Sequence, residues 1–225
     1  MGLRISLIFI IGVNLDPAVQ KILADAIILA SKHKITIVFE PRAVTRGMRS
    51  TGYFDSSTRK LVMATKSDPK VWGPLISHEV CHMEQYLENA PAWTQCYYKG
   101  RDAAEIVFAW VDKKEKFHRK TLKQCFYKTV LVEADCEVRS STKLAAYGYK
   151  EIDDYIKRAN SYLCFYLYVY DHQCWYKPDR RPYEIEEIVE AMPTEILYSD
   201  CKSFDEMYQI YKDNFKHIFE KNVTP

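Results

Sequence analysis

Residues 76–85 read Ile-Ser-His-Glu-Val-Cys-His-Met-Glu-Gln, and no other stretch constrains the fold of this chain as tightly. Ile76, Val80, Met83 and Leu87 recur at helical spacing, so the segment is expected to be a helix with one apolar stripe. His78 and His82 stand four residues apart and therefore lie one above the other on that helix. They sit about 200° round from the stripe, together with Gln85. A helix that buries one side and turns two imidazoles the other way suits the wall of a cleft. Gly73-Pro74 reads as its opening, since Pro is pre-set for the first helical position.

Two imidazoles at this spacing can grip one metal ion. Glu79 projects one residue further round, within reach of a water bound to that ion. Two nitrogen ligands, an open coordination position and a carboxylate to accept a proton make up the zinc-hydrolase arrangement. The competing reading is an amphipathic helix whose solvated face happens to carry two histidines, and the remainder of the chain has to decide between them.

A catalytic zinc needs a third protein ligand. His118, His172 and Glu184 are available, but the strongest candidate lies in Leu131-Val132-Glu133-Ala134-Asp135-Cys136-Glu137. Leu122, Phe126 and Thr129 define an inward stripe on that helix. Continued at helical spacing, the stripe runs through Glu133 and Glu137 to Ser140 and Leu144. Carboxylates on an otherwise apolar face need a cation or hydrogen-bond donors. The alternative is a pair of solvated glutamates, whose repulsion costs only ~0.2–0.5 kcal/mol. Given the upstream histidines, Glu133 is read as the ligand. Glu137, one turn on, is read as the acceptor for a ring N–H of His78 or His82, and the two roles could be exchanged. Asp135 points elsewhere.

His78-Glu79-x-x-His82 followed by a helix bearing Glu133-x-x-x-Glu137 resembles the zincin metallopeptidases, and among them the gluzincins. Glu133-x-Asp135-Cys136-Glu137 with the downstream Arg158-Ala159-Asn160-Ser161-Tyr162 also resembles uncharacterised metallopeptidases of phage and bacterial genomes. The gluzincin resemblance implies a small mixed sheet packed on the metal helix, with an antiparallel edge strand that binds extended peptide. By position that edge is expected at residues 61–65. It also implies a Glu on a second helix as third ligand, with an acid four residues later supporting a ligand histidine. That acid is usually Asp in gluzincins, whereas here it is Glu137.

Hydrophobic residues make up 48% of the 225, enough for a sizeable core, and a net charge of +2 gives no electrostatic support for nucleic-acid binding. Seven cysteines, an odd number without a Cys-x-x-Cys pair, fit a reducing, cytoplasmic setting better than a disulfide framework. Several of them fall in apolar helical patterns and read as small hydrophobes, Cys81 included. Residues 5–13 are apolar but far too few to span a membrane, and read as a buried strand. Met1-Gly2-Leu3-Arg4-Ile5-Ser6 matches a myristoylation pattern, but that pattern is short and common and these residues are expected in the core, so modification is not expected.

The remaining pattern gives a helix over 17–32, a strand over 35–39, a loop over 43–50 and a hairpin from 52–55 and 61–65. From residue 93 onward helices are expected over 103–117, 120–146, 152–170, 183–191 and 204–219. Ser203-Phe204-Asp205-Glu206 supplies a capping box for the last. The aromatic run 162–170 reads as a buried helix rather than a base-stacking platform. The fold class is therefore α+β in one domain, with residues 1–90 carrying the sheet and metal helix and 91–225 the third ligand. The expectation is a zinc-dependent hydrolase acting on a peptide or protein, with no nucleic-acid or membrane partner. The competing classes are a zinc-containing structural or assembly protein, for instance of a phage particle, and a metal-free interaction module.

Overall fold

The computed structural model describes residues 15–45, 50–66, 68–175 and 181–223. The strand expected over 5–13 and the myristoylation pattern lie outside the described residues. The chain divides into two compact units, one of residues 1–88 and 139–152 and the other of 89–138 and 153–225. The fold is α+β: a small mixed sheet with an antiparallel hairpin, followed by a mostly helical C-terminal half.

In the first unit α1 (Pro17–Lys32) opens on Asp16, whose carboxylate accepts from the Ala18 N–H at 2.7 Å. Its inner face of Val19, Ile22, Leu23, Ala26 and Ala30 is buried. The helix ends where Lys34 takes a left-handed conformation, φ 57°. β1 (Thr36–Glu40), β2 (Gly52–Asp55) and β3 (Lys60–Ala64) form a sheet in the order β1-β3-β2. β1 runs parallel to β3 with Val38 opposite Val62, and β2 runs antiparallel to it with Tyr53 opposite Val62. The expectation that residues 61–65 form the edge is thus corrected, because β3 is the central strand. Its continuous apolar run explains why: Leu61, Val62, Met63 and Ala64 are all buried, as a strand covered on both faces requires. The antiparallel edge is β2, and the Asp55 carboxylate holds its turn by accepting from the Ser57 and Thr58 backbone and hydroxyl groups.

The histidine-bearing helix α2 (Pro69–Leu87) begins a full turn before the expected Gly73-Pro74 opening. Asp68 caps it, accepting from the Lys70 N–H at 2.8 Å, and Pro69 takes the first position. Pro74 falls inside the helix, still close enough to its start to cost only one ladder bond. Gly73 serves packing: a Cβ there would stand 3.3 Å from Leu15 Cδ2. Residues 139–146, the last two turns of α5 (Arg119–Ala146), belong to the same unit and lie along α2. Ser77 Oγ donates to the Ser140 carbonyl at 3.4 Å, Arg139 pairs with Glu88 at 2.7 Å, and Lys143 pairs with Glu84.

In the second unit, residues 93–102 depart from the expected all-helical half. A short α3 (Pro91–Thr94) leads into a two-stranded hairpin of β4 (Tyr97–Tyr98) and β5 (Arg101–Asp102). Its turn residues Lys99 and Gly100 have φ 51° and 83°, the primed turn that suits strand twist. Asp102 then caps α4 (Ala103–Val111), which stops well short of residue 117 because Lys113 turns left-handed. α6 (Ile152–His172) is the core helix, with every residue from Leu163 to Tyr170 buried. The expected helix over 183–191 resolves into a 3-10 turn, Pro182–Glu184, and α7 (Glu186–Glu190). The one expected over 204–219 breaks at Phe215 into α8 (Phe204–Asn214) and α9 (Lys216–Asn222), because Phe215 is itself turned into the core. Among the described residues no helix is long and apolar enough to cross a membrane.

Candidate metal centre

α2 delivers the two histidines as expected. Ile76, Val80 and Met83 are buried, which fixes the roll of the helix and leaves His78 and His82 half-buried on another side. Their Nε2 atoms lie 3.1 Å apart, with the rings edge to face at 89°. Nitrogens bound at ~2.0–2.1 Å to one tetrahedral zinc are separated by roughly 3.3 Å, so the observed pair fits a shared ion.

One orienting contact was not anticipated. His82 Nδ1 lies 2.8 Å from Gln85 Oε1, on the same helix, and Gln85 is fully buried. An amide oxygen can only accept, so Nδ1 carries the proton and Nε2 presents its lone pair. This is the usual way a ligating imidazole is held. The signal was in the sequence: Gln85 shares the histidine face, three residues beyond His82.

Glu79 is 7% exposed and is directed at β2. A Cβ built on Gly52 would fall 2.9 Å from both Glu79 Cγ and Oε1, and 2.8 Å from Met63 Sδ. The carboxylate is therefore seated against bare backbone.

On α5 the inward stripe is present. Leu122, Phe126, Thr129, Glu137, Ser140 and Leu144 are all buried and Glu133 is half-buried. Glu137 accepts from the Tyr155 hydroxyl of α6 at 2.6 Å. The Asp102 carboxyl is held above its usual range, first by burial and then by the charges of Glu105 and Glu133. Cys136, between the two glutamates, is fully buried. Sequence reasoning did not weigh it as a ligand, yet His78, His82 and Cys136 make a donor set that could hold a metal ion. A buried thiol in apolar patterning carries no sequence signal that separates ligand from core residue.

The other candidates stand as follows. His118 is exposed, His172 is exposed and stacks on Tyr168 at 4.2 Å, and Glu184 is exposed and paired with Arg181 at 3.3 Å. Cys81 is fully buried, as its reading as a packing residue requires. No family model, curated protein or solved structure matches this chain.

Proposed function

We propose that the chain is a zinc-dependent hydrolase, of the kind that cleaves peptide bonds. His78 and His82 supply two ligands. The third comes from α5, where Glu133 and Cys136 are the residues of suitable chemistry. The observation that carries the reading is the 3.1 Å pairing of the two Nε2 atoms with Glu79 one residue away on the same helix. A zinc ion held by these residues would supply Lewis-acid chemistry, bringing the pKa of water toward ~7. Glu79 would take a proton from the attacking water at a carboxylate oxygen as the water oxygen bonds to the peptide carbonyl carbon, and return it to the amine nitrogen as the C–N bond breaks. Gln85 keeps His82 in the ligating tautomer. β2 offers backbone N–H and C=O groups to an extended peptide; among the described residues it pairs on one side only, with β3.

A donor set of His78, His82 and Cys136 favours one second reading, a zinc site that braces the fold without turnover, since thiolate donors are typical of structural zinc. Metal analysis of protein purified without chelators, run beside a peptide-library cleavage assay on the wild type and Glu79→Gln, separates the two. The expected result is about one zinc per chain in both proteins, with cleavage lowered ~10²–10⁴-fold in Glu79→Gln. Zinc without cleavage in either protein selects the bracing site, and absence of zinc removes both readings.

A further inference from the structure

We infer that Gly52 is a positioning residue for Glu79: its missing side chain makes the seat that sets where the carboxylate points. The inference rests on the reading of Glu79 as proton acceptor and concerns how that group is held. The position of the missing Cβ is closed on two sides, by Glu79 Cγ and Oε1 at 2.9 Å each and by Met63 Sδ at 2.8 Å. All three separations are shorter than real Cβ contacts adopt, so a methyl group there must displace something.

What moves is decided by what is held. Gly52 pairs with Met63 in the β2–β3 ladder. Its carbonyl accepts from the Ser50 hydroxyl at 2.7 Å, and the neighbouring Thr51 carbonyl accepts from the Ala64 N–H at 2.8 Å. The backbone is thus pinned at and beside position 52. Met63 is fully buried in a close-packed interior, so its thioether can give only slightly and Glu79 must give as well. Relief at Glu79 Cγ requires rotation about its Cα–Cβ bond, and that rotation swings the carboxylate away with it. A Cβ at 52 therefore moves the carboxylate while leaving the sheet and the two imidazoles in place. Glycine is required here for space rather than for a left-handed backbone.

The test compares zinc-loaded wild type and Gly52→Ala by crystallography, zinc content and steady-state kinetics, with a double-mutant cycle through Glu79→Gln. The expected result is an altered Glu79 rotamer, unchanged His78 and His82, unchanged zinc content, and kcat lower by about 10²-fold with little change in KM. In the Glu79→Gln background the same substitution should have no further effect on kcat, because the group it displaces no longer takes the proton. An unmoved carboxylate, or an equal loss in both backgrounds, overturns the inference. If the thioether contact prevents Gly52→Ala from folding, the comparison is made in a Met63→Leu background, which removes the sulfur. A displaced carboxylate in an enzyme that proves inactive would refute the hydrolase reading and leave the seating role of Gly52 intact.

Discussion

His82 Nδ1–H donates to the buried amide oxygen of Gln85 at 2.8 Å, and this bond leaves Nε2 as the unprotonated ring nitrogen. It spans less than one turn of a single helix and survives any rearrangement that leaves α2 intact. Replacing Gln85 by Leu, similar in volume but unable to accept, removes the restraint. Zinc affinity should fall about 10–100-fold, measured by competition with a chromogenic chelator. Unchanged affinity would mean that the helix backbone alone orients His82.

The third ligand separates by substitution. Glu133→Ala and Cys136→Ser are compared for zinc content and for the rise in melting temperature that zinc produces. Whichever variant loses both identifies the donor. Zinc at 100-fold over its dissociation constant should stabilise the wild type by about 2.7 kcal/mol, and the losing variant should forfeit that increment.

Asn160 closes a network in the second unit. Its side chain, fully buried, donates to the carbonyls of Pro193 at 2.9 Å and Glu195 at 2.8 Å and accepts from the Leu197 N–H at 2.8 Å. Asn160→Ala strands all three backbone groups. Urea denaturation should register a loss of roughly 2–4 kcal/mol, since each stranded buried group costs ~1–3 kcal/mol and water can re-solvate part of the segment.

Burial holds several thiols protonated: Cys96, Cys125 and Cys201 are pushed up to about 11, and Cys164 to about 12. A pKa raised by folding contributes stability that is fully present below the unfolded value, ~8.5, and lost as pH rises through the folded one. The chain should therefore be insensitive to these groups at pH 7. From about pH 9 to 11 each should cost on the order of 1 kcal/mol per pH unit. Denaturant midpoints between pH 8 and 11 measure the slope. A flat profile would mean that the thiols are solvated.

Much of this was legible in the order of residues. Asp16-Pro17 marked the first helix to the residue, and the stripe from Leu122 to Leu144 was recoverable because a 3.6-residue period over six turns leaves little freedom. The ends of elements were harder. Asp68-Pro69, the true start of α2, is the same cap signal as Asp16-Pro17, yet Gly73-Pro74 drew attention because Pro inside a helix is rare. β3 could not be told from an edge strand by position, although its unbroken apolar run argued for the centre. The Lys99-Gly100 turn was invisible beside two-residue strands. Within the site, His78, His82 and Glu79 followed from spacing. Gln85 as a partner lay within the same local pattern, three residues beyond His82, whereas Gly52 as a seat depends on how the chain is folded back, which no local pattern encodes.

Lys34 and Lys113 follow the ends of α1 and α4 in a left-handed conformation, φ 57° and 58°, where glycine is the usual choice. Each side chain there carries a steric penalty of about 1 kcal/mol that glycine would relieve. The fold consequently sits below its own attainable stability at sites away from the histidine helix. Lys34→Gly and Lys113→Gly should each raise the melting temperature by a few degrees without altering metal content. A protein engineer could draw on that reserve before making any costly change at the histidine pair.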